Sequence, residues 1–198
     1  MNTARPTART AKIAAVAAVP AALIASGLIV SQASYSAYSA TTTNPTSNWA
    51  TGTVFLSDDD NNTAAFTASN LKPGATGSKC IVVTSSGSLA SAVKLYTTNA
   101  TTTKSLASHV NLSITQGAGG SFGSCVGYVS TGSVYSGTLA DLTSSATNFS
   151  TGLGDWAPAG AGSETKTYQI SYTLSSSAPD STQGGTAAVG FTWEAQNS

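Results

Sequence analysis

The chain offers few side chains that could carry catalysis. It has 198 residues with a single histidine, His109, and only eight acidic residues. A zinc site needs three or four ligands, and general acid–base catalysis needs a positioned partner group. His109 is not part of an H-E-x-x-H motif, and Glu194 and Asp155 each stand without a second acid nearby. We therefore expect no catalytic residue, no metal ligand, no cofactor and no enzymatic activity.

One segment nevertheless matches the G-x-S-x-G pattern of serine hydrolases, at Gly119–Gly123 with Ser121 in the centre. A nucleophile elbow requires a strand before the serine, a helix after it and a base within reach. No helical pattern follows this segment, and His109 belongs to a separate one. We interpret the segment as a flexible hairpin loop that leads to Cys125.

The densest run of acids, DDDNN at residues 58–62, offers oxygen ligands of the kind that Ca²⁺ prefers. An EF-hand loop needs Gly at its sixth position and Glu at its twelfth. This run has Thr63 and Ser69 there, so it is not an EF-hand. Two interpretations remain, of which a solvated hairpin turn is favoured over a weak calcium site.

The N-terminal residues 1–36 have the three parts of a secretory signal peptide. Three basic residues come first, an apolar stretch follows over residues 13–30, and small residues come after it. The stretch is only just long enough for a membrane span of roughly 17–25 residues, and Pro20 and Gly27 interrupt it. We expect an N-terminal signal helix that is removed, and a retained membrane anchor is the alternative.

The small residues Ser34 and Ser36 place the preferred cut between Ser36 and Ala37, and a cut after Ala33 is the alternative. Cleavage would release a secreted chain with no membrane segment. Three of the eight basic residues precede the apolar stretch, which leaves five against eight acids. Such a chain has no basic patch for nucleic acid. Only 8% of all residues are charged, against roughly 25% in typical soluble domains.

The chain has two cysteines, Cys80 and Cys125. In an exported protein two cysteines indicate one disulfide, and the alternative is a pair of buried free thiols. The disulfide would stabilise the fold by about 4 kcal/mol through closure of the intervening loop.

Short apolar runs with period-two alternation, separated by Gly, Ser, Asn and Pro, predict strands throughout residues 48–198. We expect an all-β domain, an antiparallel jelly-roll-like β-sandwich with a short helix and long loops. The short helix is predicted at 103–108. The predicted strands lie at 49–56, 64–69, 79–84, 92–96, 110–114, 124–129, 138–142, 168–174 and 187–195.

Several motifs appear in a fixed order along the chain: SYSAYSA, NWATGTVFLS, LKPG, KCIVVT and SSGSLASAVKLY. In this order they resemble the TasA/CalY (camelysin) family, whose members carry a signal peptide of the SipW type. Trp49 stands where Phe is usual, Ala75 replaces the Asp of L-K-P-G-D, and Ser86 stands where Asn often precedes Gly. The closing FTWEAQ and the cysteine pair are similar to variants from high-GC Gram-positive bacteria.

The resemblance implies a non-enzymatic subunit of extracellular biofilm matrix fibres. In that family the mature N-terminus serves as a donor strand for the next subunit. Here it corresponds to an extended arm at 37–47, which includes Tyr38, Thr41, Thr43 and Pro45. Pro45 limits where the arm can pair in a sheet. The implied partners are further copies of the chain and other matrix or cell-surface proteins.

An alternative function is a monomeric secreted module that binds carbohydrate or another cell-surface polymer. Jelly rolls often bind carbohydrates. Trp156, Tyr128 and Tyr135 are the aromatic side chains that could stack on a sugar ring.

Overall fold

The computed structural model describes residues 51–197. The predicted signal peptide at 1–36, the cleavage pair Ser36 and Ala37, and the arm at 37–47 lie outside the described residues. Within the described part of the chain, no helix is both long and apolar enough to cross a membrane.

Residues 51–197 form seven strands and one short α-helix. The helix, α1, occupies Leu139–Ser145 and follows directly on the fifth strand. Short 3₁₀ turns occur at Leu106–His109, Phe149–Thr151 and Asp180–Thr182. The strands are β1 (Leu56–Asp58), β2 (Thr76–Ser85), β3 (Ser91–Thr102), β4 (Val110–Ala118), β5 (Val129–Thr138), β6 (Glu164–Leu174) and β7 (Ala187–Asn197).

The strands form two antiparallel sheets of unequal size. One sheet has five strands in the order β1-β2-β6-β4-β5, and the other consists of β3 and β7. Every strand pair is antiparallel. The all-β antiparallel sandwich predicted from the sequence is therefore confirmed.

A single hydrophobic core lies between the sheets. Successive side chains of a strand point to opposite faces of its sheet. The alternation of apolar and polar residues therefore places the apolar side chains on the faces that form this core. Tyr168 is its largest fully buried side chain, at 1% exposure, and its ring lies 5.3 Å from that of Trp193. The aliphatic part of the core comes from pairs on β2, β3, β4 and β6, which include Ile81, Val83, Val93, Leu95, Leu112, Ile114 and Ile170.

The strand predicted at 138–142 is wrong, because this segment begins α1. Thr138 caps the helix: its hydroxyl accepts a hydrogen bond from the Asp141 backbone N–H at 3.1 Å. The same hydroxyl donates to the Asp141 carboxylate at 2.8 Å. Local capping by a Thr-x-x-Asp pair therefore outweighs the apolar spacing that suggested a strand. The helix then packs against β3, β4 and β5.

Two further predicted strands are absent from the described structure. The segment 64–69 forms no ladder, although Phe66 packs edge-on against Tyr172 with ring centroids 5.1 Å apart. The segment 124–129 is a turn, and β5 begins only at Val129. The described part of the strand predicted at 49–56 is shorter, since β1 starts at Leu56. At 64–69 the apolar residue that suggested a strand anchors a loop to the core instead.

The predicted disulfide between Cys80 and Cys125 is present. It joins β2 to the β4–β5 connection, residues 119–128, which we call the glycine loop. Cys80 is fully buried. The loop is fixed at two further points, by a hydrogen bond between the Tyr128 and Thr115 hydroxyls at 2.8 Å and by a contact of the Lys79 ammonium with the Phe122 ring at 4.2 Å.

We predict that Cys80→Ala combined with Cys125→Ala lowers the free energy of unfolding by about 4 kcal/mol, because the unfolded chain regains the entropy of an open loop. Urea denaturation of the purified protein measures this change. Wild-type protein under a strong reductant should show the same loss, which serves as the control. A loss below about 1 kcal/mol in both would contradict a stabilising disulfide.

Candidate functional site

The two edges of the smaller sheet differ in their surroundings. On the β3 side, the segment 146–158 runs along the strand as an irregular extra strand. Its carbonyl groups accept hydrogen bonds from alternate N–H groups of β3, over distances of 2.8–3.0 Å. The bonded pairs are Ser91 with Pro158, Val93 with Trp156, Leu95 with Leu153, and Thr97 with Ala146.

The other edge of the smaller sheet is β7. The hydrogen bonds of β3 show which residues of β7 direct their backbone N–H and C=O groups away from the sheet. Because the odd-numbered residues of β3 face the segment 146–158, its even-numbered residues face β7. The register pairs them with the even-numbered residues of β7, such as Thr192 and Glu194. Phe191, Trp193 and Ala195 therefore direct their N–H and C=O groups to the opposite edge. No strand among residues 51–197 pairs with that edge.

A groove lies along this open edge, between β7 and the short strand β1. It has a volume of about 190 Å³. Phe191 and Trp193 are half-buried because their side chains pack on the core while their edges face the groove. The groove is lined by Leu56, Ser57, Asp58, Val83, Phe191, Thr192 and Trp193.

The acidic run at 58–62 reaches this groove with Asp58 and forms a hydrogen-bonded turn. The two carboxylate oxygens of Asp59 accept hydrogen bonds from the backbone N–H groups of Val82 and Phe122, each at 2.8 Å. Asp59 thus ends β1 and fixes the glycine loop to the edge of β2. The Asp60 carboxylate accepts from the Asn62 N–H at 2.7 Å, as in an Asx turn.

Asp58 is the member of the acidic run that lines the groove. Burial raises the pKa of its carboxyl, and so do the hydrogen bond with the Asp60 side chain and the charges of Asp60 and Asp59. No group of three or more His, Cys, Asp or Glu residues lies close enough to hold a metal ion in residues 51–197. The geometry therefore favours the turn interpretation over the calcium site.

The residues considered for catalysis have local structural roles. Ser121 and Ser124 exchange backbone hydrogen bonds of 2.8 and 3.0 Å in a tight turn, and no helix follows it in the glycine loop. His109 ends a 3₁₀ turn, where its carbonyl accepts from the Ser175 N–H at 2.8 Å. The Asp155 carboxylate accepts a hydrogen bond from the Gln116 side-chain amide.

Glu194 lies on the face of the smaller sheet that is turned away from the core. Its carboxylate accepts hydrogen bonds from the Gln196 amide at 2.8 Å and from the Tyr96 hydroxyl at 2.9 Å. These two bonds lower the pKa of the Glu194 carboxyl, with Gln196 the larger cause. An ionised, hydrogen-bonded carboxylate of this kind stabilises the pairing of β3 with β7.

The aromatic residues considered for sugar stacking are used within the domain. Trp156 is only 8% exposed and belongs to the core. The Tyr128 hydroxyl bonds to that of Thr115, and the Tyr135 hydroxyl donates to the Thr138 carbonyl at 2.7 Å. The buried Trp156 in particular offers no face for a sugar ring.

A comparison with models of known protein families gives no match, and a comparison with curated proteins finds no similar sequence. The resemblance to the TasA/CalY family therefore rests on the short motifs quoted above. The open edge of β7 was not identified from the sequence. The alternation of Val189, Phe191 and Trp193 predicted the strand, but alternation carries no information about which neighbours a strand lacks.

We predict that Asp59→Ala lowers the free energy of unfolding by about 2–4 kcal/mol, because the backbone N–H groups of Val82 and Phe122 lose their acceptor. Asp59→Asn keeps one acceptor oxygen and should cost roughly half as much. Urea denaturation of both variants measures the difference. Asp180→Ala, at an exposed acid in another loop, is the matched control and should change stability by less than about 0.5 kcal/mol. Equal stability of Asp59→Ala and this control would contradict the role given to Asp59.

Proposed function

We propose that the protein is a secreted structural subunit of extracellular matrix fibres, of the kind that the resemblance to the TasA/CalY family implies. Subunits assemble by donor-strand exchange, in which the mature N-terminal arm of one subunit pairs with the next. The observation that carries this proposal is the edge of β7, which no strand among residues 51–197 occupies and which lies beside a groove lined in part by Leu56, Phe191 and Trp193.

The sizes of the two sheets explain why an added strand would be stable. A two-stranded sheet cannot cover a five-stranded one, so Phe191 and Trp193 stay half-buried. A strand beside β7 would extend the smaller sheet over Leu56 and the groove. It would gain main-chain hydrogen bonds from the edge and remove apolar surface from water.

The arm at 37–47 has a length that suits this edge. It contains eleven residues, the same number as β7. It is rich in Thr, a β-branched residue that favours extended pairing. Tyr38, Thr41 and Thr43 are its candidate contact residues, and Pro45 lies near the end that connects to the domain. The residues before Pro45 all keep their backbone N–H, so alternate residues among them can donate hydrogen bonds to β7.

The other edges of the sandwich are less able to accept a strand. The edge of β3 is occupied by the segment 146–158. β1 has only three residues, and Asp59 ends it. β5 pairs with β4 through two register irregularities, and such bulges make an edge a poor template. These features favour β7 as the acceptor.

A contact between the arm of one subunit and β7 of another is head-to-tail. Such contacts produce filaments when the rotation between copies does not close a ring. The partner is thus a further copy of the chain, and other matrix or cell-surface proteins with an open edge could join in the same way. The disulfide is compatible with an oxidising, extracellular location.

We predict that deletion of residues 37–47 from the mature chain abolishes fibres and leaves a folded monomer, because the donor is lost while the domain is intact. Electron microscopy and size-exclusion chromatography of the purified protein measure both outcomes. Fibres formed by the deleted chain would contradict donor-strand exchange.

A pair of variants tests main-chain pairing without shortening the arm. Of two consecutive residues in a strand, one directs its N–H to β7 whatever the register. Thr42→Pro combined with Thr43→Pro therefore removes a ladder hydrogen bond and should slow assembly strongly. Thr42→Val combined with Thr43→Val keeps every N–H group and is the matched control.

A further inference from the structure

We infer that the groove beside Asp58 binds the free α-amino group of the arm of a neighbouring subunit, so that cleavage of the signal peptide itself creates the group that starts assembly. This inference rests on the proposed donor-strand function and adds to it the chemistry that the acceptor recognises. The precursor, whose Ala37 nitrogen is an amide, lacks this group.

The first argument is the charge of the arm. Residues 37–50 contain no Lys, Arg, His, Asp or Glu. Cleavage before Ala37 therefore gives the arm a single charge, the α-ammonium group at its first residue. An α-amino group has a pKa of about 7.7–8.0, so most of it is protonated at neutral pH.

The second argument is the charge of the acceptor. Asp58 is the only charged side chain among the residues that line the groove. Both oxygens of Asp59 are used by backbone N–H groups, and one oxygen of Asp60 is used within its turn. Asp58 receives only one backbone bond, of 3.3 Å, from the Asp60 N–H. Asp58 also shares a side-chain hydrogen bond with Asp60. It is the carboxylate of the run that lines the groove, and its two oxygens together still have acceptor capacity for an incoming donor.

The acidic neighbours of Asp58 make a cation beside its carboxylate more favourable. The neighbouring charges that affect its pKa are those of Asp60 and Asp59, and both disfavour a negative charge. A donor strand without charge would remove water from this carboxylate and leave it unpaired, which is costly. An α-ammonium group would replace the lost water with a charge-assisted hydrogen bond.

The third argument is the order of residues in the arm. If the α-amino group lies at Asp58, the next residue, Tyr38, lies at the apolar wall formed by Leu56, Phe191 and Trp193. Tyr38 is the only aromatic residue of the arm at 37–47. The residues that follow can then extend along β7 before Pro45 is reached.

The test compares two forms of the mature chain that begin at Ala37, one with a free N-terminus and one with an acetylated N-terminus. Acetylation removes the charge and leaves every side chain unchanged. We expect it to slow fibre growth, followed by light scattering, at least about tenfold, which is the scale of one charge-assisted hydrogen bond.

A variant pair assigns the effect to the groove. Asp58→Asn should slow the free form to a similar degree, and acetylation of that variant should then have little further effect, because both changes remove the same interaction. Asp180→Asn makes the same change of charge at a distant exposed loop and should keep the full response to acetylation. Thermal melts of each monomer check that the domain is folded.

The outcomes separate this inference from the proposed function. Equal growth of the free and acetylated wild-type forms overturns amine recognition, while donor-strand exchange stands. The acetylation comparison uses the wild-type sequence, so its result does not depend on the folding of Asp58→Asn. A mature chain that stays monomeric in both forms, or fibres that survive deletion of the arm, overturns both proposals.

Discussion

The constraint on which the structure depends is that two strands cannot cover five. β3 and β7 must shield one face of a sheet that is more than twice as wide, and within residues 51–197 only the β3 side receives further cover. On the β3 side, the segment 146–158 is hydrogen-bonded along β3 and α1 packs against the same strand. Together they cover this side of the sandwich. On the side of β7, no strand among residues 51–197 continues the sheet, and the backbone groups of Phe191, Trp193 and Ala195 are directed outward. In the proposed assembly the missing strand comes from another copy of the chain.

The groove beside β7 is the proposed acceptor site. Its stability depends on contacts that hold β1, which forms the wall opposite β7. β1 has only three residues, and it keeps its position through pairing with β2 and through the carboxylate of Asp59. The same carboxylate binds the glycine loop, which the disulfide ties to β2. A groove bounded by a fixed wall is preorganised, so little conformational entropy is lost when a strand enters. The groove is lined by only one charged residue, Asp58, so few charges lose their hydration when a strand enters.

The sequence predicted the all-β sandwich, the disulfide and most strands, because alternation and cysteine number are local properties. It failed at 138–142, where a capping hydrogen bond decided for a helix, at 124–129, where a turn precedes β5, and at 64–69, where Phe66 anchors a loop. The role of Asp59 was also hidden, since its partners Val82 and Phe122 are distant in the sequence. The open edge depends on which pairings β7 lacks, and only the assembled sheets reveal that.

The most direct test of donor-strand exchange mixes two variants that are each unable to polymerise. One lacks the arm at 37–47 and keeps the acceptor edge. The other keeps the arm and carries Val189→Pro with Ala195→Pro, which remove N–H groups that face the open edge of β7 without touching its ladder to β3. Analytical ultracentrifugation should show monomers for each variant alone and a one-to-one heterodimer for the mixture. Two monomers in the mixture, or fibres from either variant alone, would contradict donor-strand exchange at β7.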